Sequence, residues 1–431
     1  KYFYGAVLAF QGIKIQDLEL KYWWIRETDS TANRNLPVQK WITDRISLHT
    51  INITRISVVF VSLLNLMFLY LICVKIFSQK VGVIAVLFTS WNSLFRYESV
   101  QILSDPILLF FVLSGFLATL WWMDNSKWER AAFVGLLAGL GFTTKLNGVL
   151  ILFPPMFALF YWMVRKNSEF NATKYVRVVM QLLLMAAVGF AVTYLLNPTL
   201  HGDSVAMIIK MLQNRAERVE IQKFLFGTGF APLEHKLRMS WLILSGTAPT
   251  VSSIISPLVP IVIAIIGIVV CFIKRMKSNV SAEKYVLICT GAIWIISSFA
   301  QYWVLLLPRY LFFCWPFVGI AAGVGCALVR ARIFNIALAI AVLGALITIQ
   351  IKKPAALEFA EQRKMTAAEA IPIELVQKSV AIVPEDLLLR AELVSRYIDK
   401  REWVKAREQI EEMRKIDSKS PLVKWLSGQI P

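Results

Sequence analysis

Apolar runs recur between residues 56 and 351 at lengths suited to crossing a membrane, and short polar segments separate them. A membrane-spanning helix needs about 20 apolar residues, with roughly 17 to 25 tolerated. The pattern therefore predicts ten spans, at 56–77, 81–95, 105–123, 131–147, 149–164, 177–196, 254–273, 285–306, 310–329 and 333–351. Residues 131–164 also fit one broken hairpin, because Pro154 and Pro155 stand in its return arm.

Basic residues are concentrated in alternate connections between these spans. One set of connections holds fourteen Lys and Arg residues and four acidic ones, whereas the opposite short turns hold only Arg96, Lys145 and Arg309 as basic residues. Because Lys and Arg are enriched in cytoplasmic loops, the first set is predicted to lie in the cytoplasm. The turns that hold Arg96, Lys145 and Arg309, residues 1–54, the loop 197–250 and the tail after 352 are then predicted to lie outside.

The polar segments at the two ends of the chain predict two further regions. Residues 1–54 mix Trp and Tyr with Lys and Arg, which is typical of interfacial helices. The apolar spacing between residues 393 and 410 resembles a tetratricopeptide (TPR) helix pair. We therefore divide the chain into a first extracytoplasmic loop at 1–54, a transmembrane domain at 55–352 with the outer loop 197–250, and a soluble helical TPR-like tail at 353–431.

Composition supports an all-α polytopic membrane protein and excludes several other classes. Hydrophobic residues make up 57% of the chain, which is more than a soluble globular protein carries. The net charge of +18 would suggest nucleic-acid binding in a soluble domain, but here the basic residues flank the spans, so we expect no nucleic-acid partner. The five Cys form no C-x-x-C pair and the three His lack metal-ligand spacing, so no metal site is predicted.

Ionisable side chains recur at the predicted outer ends of the spans: Arg55, Arg96, Glu98, Asp105, Lys145 and Arg309. Such residues at membrane depth are costly and mark functional sites, although each could instead extend its charge to the interface. Asp105 could form a structural ion pair with Arg96 or Lys145, because a buried carboxylate needs a partner. Glycines flank Lys145, and their lack of side chains favours a polar cavity that opens outwards.

Four short segments resemble the GT-C glycosyltransferases, and within them the branch of the protein O-mannosyltransferases and the lipid A aminoarabinose transferase. The longest runs from Ser126 to Lys145 and contains Ala131-Ala132-Phe133-Val134-Gly135 and Gly139-Leu140-Gly141-Phe142-Thr143-Thr144-Lys145. The others are Arg55 at the head of a span, Ser104-Asp105-Pro106, and Pro308-Arg309-Tyr310-Leu311. They occur in matching order, and the resemblance covers about residues 1–350.

The resemblance implies a GT-C-like enzyme that moves a sugar from a polyprenyl-phosphate donor to a protein or glycolipid acceptor at the extracytoplasmic face, with inversion. It also implies an acidic general base just before Lys1, so we expect a further N-terminal span. Cations stabilise the charge that develops on a departing phosphate. The candidates for this role are Arg309, Lys145, Lys1, Arg96 and Arg55. The resemblance implies a catalytic role for Asp105, which could orient the acceptor or hold a cation in place. The secondary candidates are Glu98, His235, Arg238 and Tyr310.

Two other functions stay open at this point. A transporter or flippase for a lipid-linked or anionic substrate fits the number of spans, although the charges lie at one face rather than at the midplane. A non-catalytic scaffold would use the C-terminal helices to bind a partner protein. In each case we expect an integral membrane protein of a prokaryotic plasma (inner) membrane, in contact with lipids. The resemblance implies no cofactor other than the donor and leaves a divalent metal open.

Overall fold

The computed structural model describes residues 48–100, 103–164, 172–197, 200–201, 281–305, 308–327, 373–382, 387–416, 418 and 421–430, with single positions between 209 and 263. These residues form helices and connecting turns, and the described part contains no β-strand. The chain divides into two compact units, one of which contains the apolar helices and the other the C-terminal helices.

Nine α-helices and two 3-10 helices make up the described part of the apolar unit. They are α1 (Leu48–Ile76), α2 (Gln79–Trp91), α3 (Ser93–Glu98), α4 (Ser104–Asp124), α5 (Trp128–Thr144), η1 (Leu146–Leu152), α6 (Phe153–Val164), α7 (Ala172–Leu196), α8 (Ala282–Leu305), η2 (Pro308–Cys314) and α9 (Trp315–Ala327). Within the described ranges, six helical segments are long and apolar enough to cross a membrane, which confirms an all-α polytopic protein.

The other four predicted spans have different outcomes. The span predicted at 81–95 corresponds to α2, which ends at Trp91 because the Asn92 side chain accepts a hydrogen bond from Phe95 N and starts α3. The span at 131–147 corresponds to the 17-residue helix α5. The spans at 254–273 and 333–351 fall outside the continuously described residues, so they stay predictions.

Residues 131–164 form a helical hairpin that turns at Lys145. Pro154 and Pro155 stand in the first turn of α6. Proline is tolerated there because the first backbone N–H groups of a helix have no intrahelical acceptor. The two prolines therefore begin α6 after η1 and do not break a helix.

Glycines let two pairs of helices approach closely. A Cβ atom on Gly135 would lie 2.5 Å from the carbonyl oxygen of Met185, and one on Gly139 would lie 2.6 Å from that of Gly189, so α5 packs directly on the α7 backbone. A Cβ atom on Gly319 would similarly lie 2.8 Å from the carbonyl oxygen of Ala85 where α9 meets α2. Small residues at such positions let membrane helices gain dispersion contacts that bulky side chains would prevent.

Polar contacts fix the direction of α4 relative to its neighbours. Asn65 of α1 donates to the carbonyl oxygen of Pro106 at the start of α4, and Lys75 at the end of α1 pairs with Asp124 at the end of α4. The two helices therefore run in the same direction. Helix α5 follows α4 and ends just before Lys145, which contacts Asp105 at the start of α4. The start of α4 and the turn at Lys145 therefore lie at one end of the helix group, which we call the site end.

The described C-terminal helices α10 (Ile373–Ile382), α11 (Leu387–Asp399), α12 (Trp403–Ile416) and α13 (Pro421–Ser427) pack around an apolar core of their own. The residues behind the TPR-like spacing, Leu393, Tyr397, Ala406 and Ile410, are all buried in this core. The predicted helical packing is therefore present. The assignment to a tetratricopeptide repeat and the domain boundaries at 54 and 352 stay predictions.

Candidate functional site

An ion pair between Asp105 and Lys145 lies at the site end. The Nζ atom of Lys145 is 2.8 Å from Oδ1 of Asp105, and the side chains are 20% and 4% exposed. Asp105 is in the first turn of α4 and Lys145 follows the last turn of α5. Each charge therefore lies at the helix end whose dipole favours it. This contact selects Lys145 from the two partners that the sequence allowed for Asp105.

The backbone around Lys145 is held by two close turns. Lys145 is extended (φ −160°, ψ 144°), its N–H donates to the carbonyl oxygen of Gly141, and its own carbonyl oxygen accepts from Gly148 N. A Cβ atom on Gly148 would lie 2.1 Å from the carbonyl carbon of Gly141. The glycines near Lys145 are thus tightly packed, and the outward-facing polar cavity expected beside Lys145 stays a prediction. Their role is to let α5 and η1 cross beside the lysine.

Aromatic residues of η2 form the opposite side of the site. The Nζ atom of Lys145 lies 5.3 Å from the ring centroid of Tyr310 and 6.0 Å from that of Phe313. The guanidinium carbon of Arg309 lies 5.4 Å from the same Tyr310 centroid. Cations within about 6 Å of an aromatic ring are attracted by its quadrupole. The two cations can be no farther apart than these two distances added together, so both lie beside the ring of Tyr310.

Further polar contacts link the cluster to α8. The Nδ2 atom of Asn147 donates to Oε1 of Gln301 at 3.1 Å, and the Nε2 atom of Gln301 contacts the carbonyl oxygen and Oγ of Ser297. Asn147 and Gln301 are partly exposed, whereas Asp105 and Tyr310 are each 2% exposed. The two amides therefore lie towards the accessible side of the cluster.

The structure brings together four of the predicted site residues, namely Asp105, Lys145, Arg309 and Tyr310. Glu98 is buried at the end of α3, and α3 packs on η2 through the stacked rings of Phe95 and Phe312. Arg96 is exposed on α3.

Arg55 lies farther from the cluster along α1. It is exposed and precedes Asn65, which contacts Pro106, by ten residues. At a rise of 1.5 Å per residue this corresponds to about 15 Å along the helix. Lys1, His235 and Arg238 fall outside the described residues, so their roles stay predictions.

The sequence analysis did not identify Asn65, Asn147, Gln301 or Phe313 as part of the site. Asn65 interrupts the apolar run of α1, and a polar side chain inside a predicted span was the available signal. Asn147 follows Lys145 by two residues, but nothing in the sequence relates it to Gln301.

Among the described residues, no three His, Cys, Asp or Glu side chains are grouped closely enough to hold a metal ion.

The cluster combines two fixed cations, a buried carboxylate and aromatic rings at the end of a helix group. An ammonium has three donors and a guanidinium has five, so Lys145 and Arg309 can direct several N–H groups at an anion. Asp105 accepts a hydrogen bond from the ammonium of Lys145 and balances part of the positive charge of the two cations. Such a site is suited to an oxygen-rich anion such as a phosphate ester.

Residues 37–197 match the family of dolichyl-phosphate-mannose-protein mannosyltransferases. The domain that defines this family belongs to the GT-C superfamily. This segment contains α1 to α7 and therefore Asp105 and Lys145. The match confirms the resemblance over this segment, which contains three of the four motifs, whereas Pro308-Arg309-Tyr310-Leu311 lies outside it. It also indicates a membrane glycosyltransferase of the GT-C type. No curated protein is significantly similar to the chain.

Proposed function

We propose that this membrane protein transfers a sugar from a polyprenyl-phosphate donor to a protein or glycolipid acceptor at the outer face of a prokaryotic plasma membrane. The family match over residues 37–197 supports the reaction class. The observation that carries the proposal is the convergence of Lys145 and Arg309 on the ring of Tyr310. These cations come from helix ends that are far apart in the sequence.

In the proposed reaction the acceptor hydroxyl attacks the anomeric carbon while the bond from that carbon to the phosphate oxygen breaks. The electron pair of the broken bond stays on the departing lipid phosphate, so negative charge develops there. Lys145 and Arg309 stabilise this charge because they are already oriented before the reaction. A single displacement of this kind inverts the configuration at the anomeric carbon.

Asp105 acts in this scheme as a positioning residue. Its carboxylate is nearly fully buried and engages Nζ of Lys145. It therefore holds the ammonium towards the phosphate, and it limits the excess positive charge of the site before the donor binds. The proton of the acceptor hydroxyl passes to an acidic general base, as the resemblance implies.

Replacing Arg309 tests the phosphate role directly. Arg309→Ala should lower kcat/KM for transfer from polyprenyl-phosphate mannose by about 10² to 10³, which is the effect of removing one preorganised donor. Arg309→Lys should recover part of the activity because it keeps the charge but loses the two-pronged geometry. The assay follows radiolabelled sugar from the lipid into the acceptor fraction, with the variants purified in the same detergent.

Arg130→Ala is the matched control. The guanidinium carbon of Arg130 lies 4.3 Å from the ring of Trp121, so this arginine has the same kind of aromatic contact as Arg309. Arg130 is at the start of α5, away from the site end. The control should keep wild-type transfer. Full activity of Arg309→Ala in a folded protein would contradict the phosphate role.

A further inference from the structure

We propose that Asn147 and Gln301 recognise hydroxyl groups of the donor sugar and thereby select which sugar is transferred. This inference rests on the proposed glycosyltransferase function and assigns the sugar side of the same site. The chemical class of ligand is a hexose with adjacent hydroxyl groups, attached to the lipid phosphate through its anomeric carbon.

The position of Asn147 suits a contact with the sugar. It lies two residues beyond Lys145, so the Cα atoms of the two residues are at most about 7 Å apart. This spacing is similar to the width of one pyranose ring. In the proposed complex, the phosphate contacts Lys145 and the ring of the attached sugar lies beside Asn147. Asn147 and Gln301 are also partly exposed, so a ligand can reach their amides.

Hydrogen bonds fix the orientation of both amides. The NH2 group of Gln301 contacts the carbonyl oxygen of Ser297 at 3.3 Å and its Oγ atom at 3.2 Å. The Oε1 atom of Gln301 in turn accepts from Nδ2 of Asn147. The Asn147 amide is therefore aligned before any ligand binds, which lowers the entropy cost of recognition.

The remaining hydrogen-bonding capacity of Asn147 fits a sugar. A carboxamide carries two N–H donors and an oxygen with two lone pairs. Within the described residues, the bond to Gln301 uses one of these donors. A second N–H and the carboxamide oxygen remain. One donor and one acceptor on the same amide match sugar hydroxyl groups, each of which can donate and accept.

A purely structural role makes a different prediction. If the Asn147–Gln301 bond only braced η1 against α8, its removal would lower activity with every donor by the same factor. If the amide binds the sugar, the loss should depend on which hydroxyl groups the donor carries. A site that hydrogen-bonds a substrate hydroxyl rejects an analogue that lacks it, because the polar group of the protein is left unpaired.

The experiment compares donors for the wild type, Asn147→Leu and Gln301→Met. The donors are polyprenyl-phosphate mannose, glucose and galactose, which differ in the configuration of single hydroxyl groups, and the monodeoxy forms of the preferred sugar. For the wild type we expect kcat/KM to fall by about 10- to 100-fold for at least one monodeoxy donor. For Asn147→Leu we expect kcat/KM with the preferred donor to be lower than the wild-type value by a similar factor. Its kcat/KM with that monodeoxy donor should then be almost the same as with the preferred donor. Gln301→Met should lose part of the same discrimination.

Two further measurements separate the possible failures. Binding of polyprenyl phosphate without a sugar should be unchanged in Asn147→Leu, because that ligand lacks the recognised groups. Asn197→Leu is the control; it removes an amide that bonds the carbonyl oxygen of Thr193 at the end of α7, and it should keep wild-type discrimination.

The outcomes of this experiment distinguish the inference from the function on which it rests. Unchanged ratios between donors in both variants, in an active enzyme, would overturn the inference and leave the glycosyltransferase function intact. No transfer by the wild type from any of these donors would count against the proposed function itself.

Discussion

The Asp105–Lys145 ion pair should stabilise the fold by an amount that a double-mutant cycle can measure. Asp105→Asn leaves the ammonium without its carboxylate, and Lys145→Met leaves the carboxylate without its ammonium. For charges 2.8 Å apart, Coulomb's law at an effective dielectric constant of about 20 gives an upper limit of about 6 kcal/mol. The cost of removing both charges from water offsets much of this energy, so we expect a coupling energy of about 2–3 kcal/mol.

The assay is the free energy of unfolding in mixed micelles for the wild type, both single variants and the double variant. Each single variant should lose about 3 kcal/mol, since one buried charge stays uncompensated. The double variant should lose less than the two single losses added together. Lys75→Gln and Asp124→Asn form a control cycle, because that pair is 32% and 45% exposed and should couple by less than about 1 kcal/mol. Additivity within about 0.5 kcal/mol at Asp105 and Lys145 would refute the reasoning.

Two other predictions concern the packing of the helices, one beside Lys145 and one near the end of α4. Gly148→Ala places a Cβ atom against the backbone of Gly141. It should cost about 1–3 kcal/mol of stability and lower transfer, because it displaces the site. Thermal unfolding and transfer assays compare it with Gly291→Ala, whose Cβ meets only a side chain, and equal effects of the two variants would contradict the prediction. Gln181→Leu removes the acceptor of the buried Trp122 N–H and should cost about 1–3 kcal/mol; a variant with unchanged thermal unfolding would show that this bond is dispensable.

Much of the fold was predictable because the length and polarity of a span are local properties of the sequence. An apolar run must satisfy its backbone hydrogen bonds within the membrane, and a helix does so without any other segment. The spans that contain α1, α4, α7 and α8 could therefore be read directly from their apolar runs. The break at Asn92 was harder to predict, since it depends on a side chain that bonds a backbone N–H three residues later.

The candidate site was predictable in its residue types but not in its contacts. The cost of burying a charge singled out Asp105, Lys145 and Arg309 from the sequence. The same argument selected Arg55, which lies farther along α1, and Arg96, which is exposed. The sequence could not separate these cases, because exposure depends on which neighbouring helices cover each side chain. Nor could the sequence show that Gly139 and Gly148 beside Lys145 pack against backbone atoms.

By itself, then, the sequence determined that this is a helical membrane protein with charged residues at the ends of its spans and with a GT-C-like segment. Only the tertiary structure decided that Asp105 meets Lys145, that Lys145 and Arg309 share the ring of Tyr310, and that Asn147 reaches Gln301. The physical reason is that helix formation depends on neighbouring residues, whereas the Asp105–Lys145 and Asn147–Gln301 contacts join residues 40 and 154 positions apart. These contacts depend on the glycine-mediated packing that sets the distances between the helices.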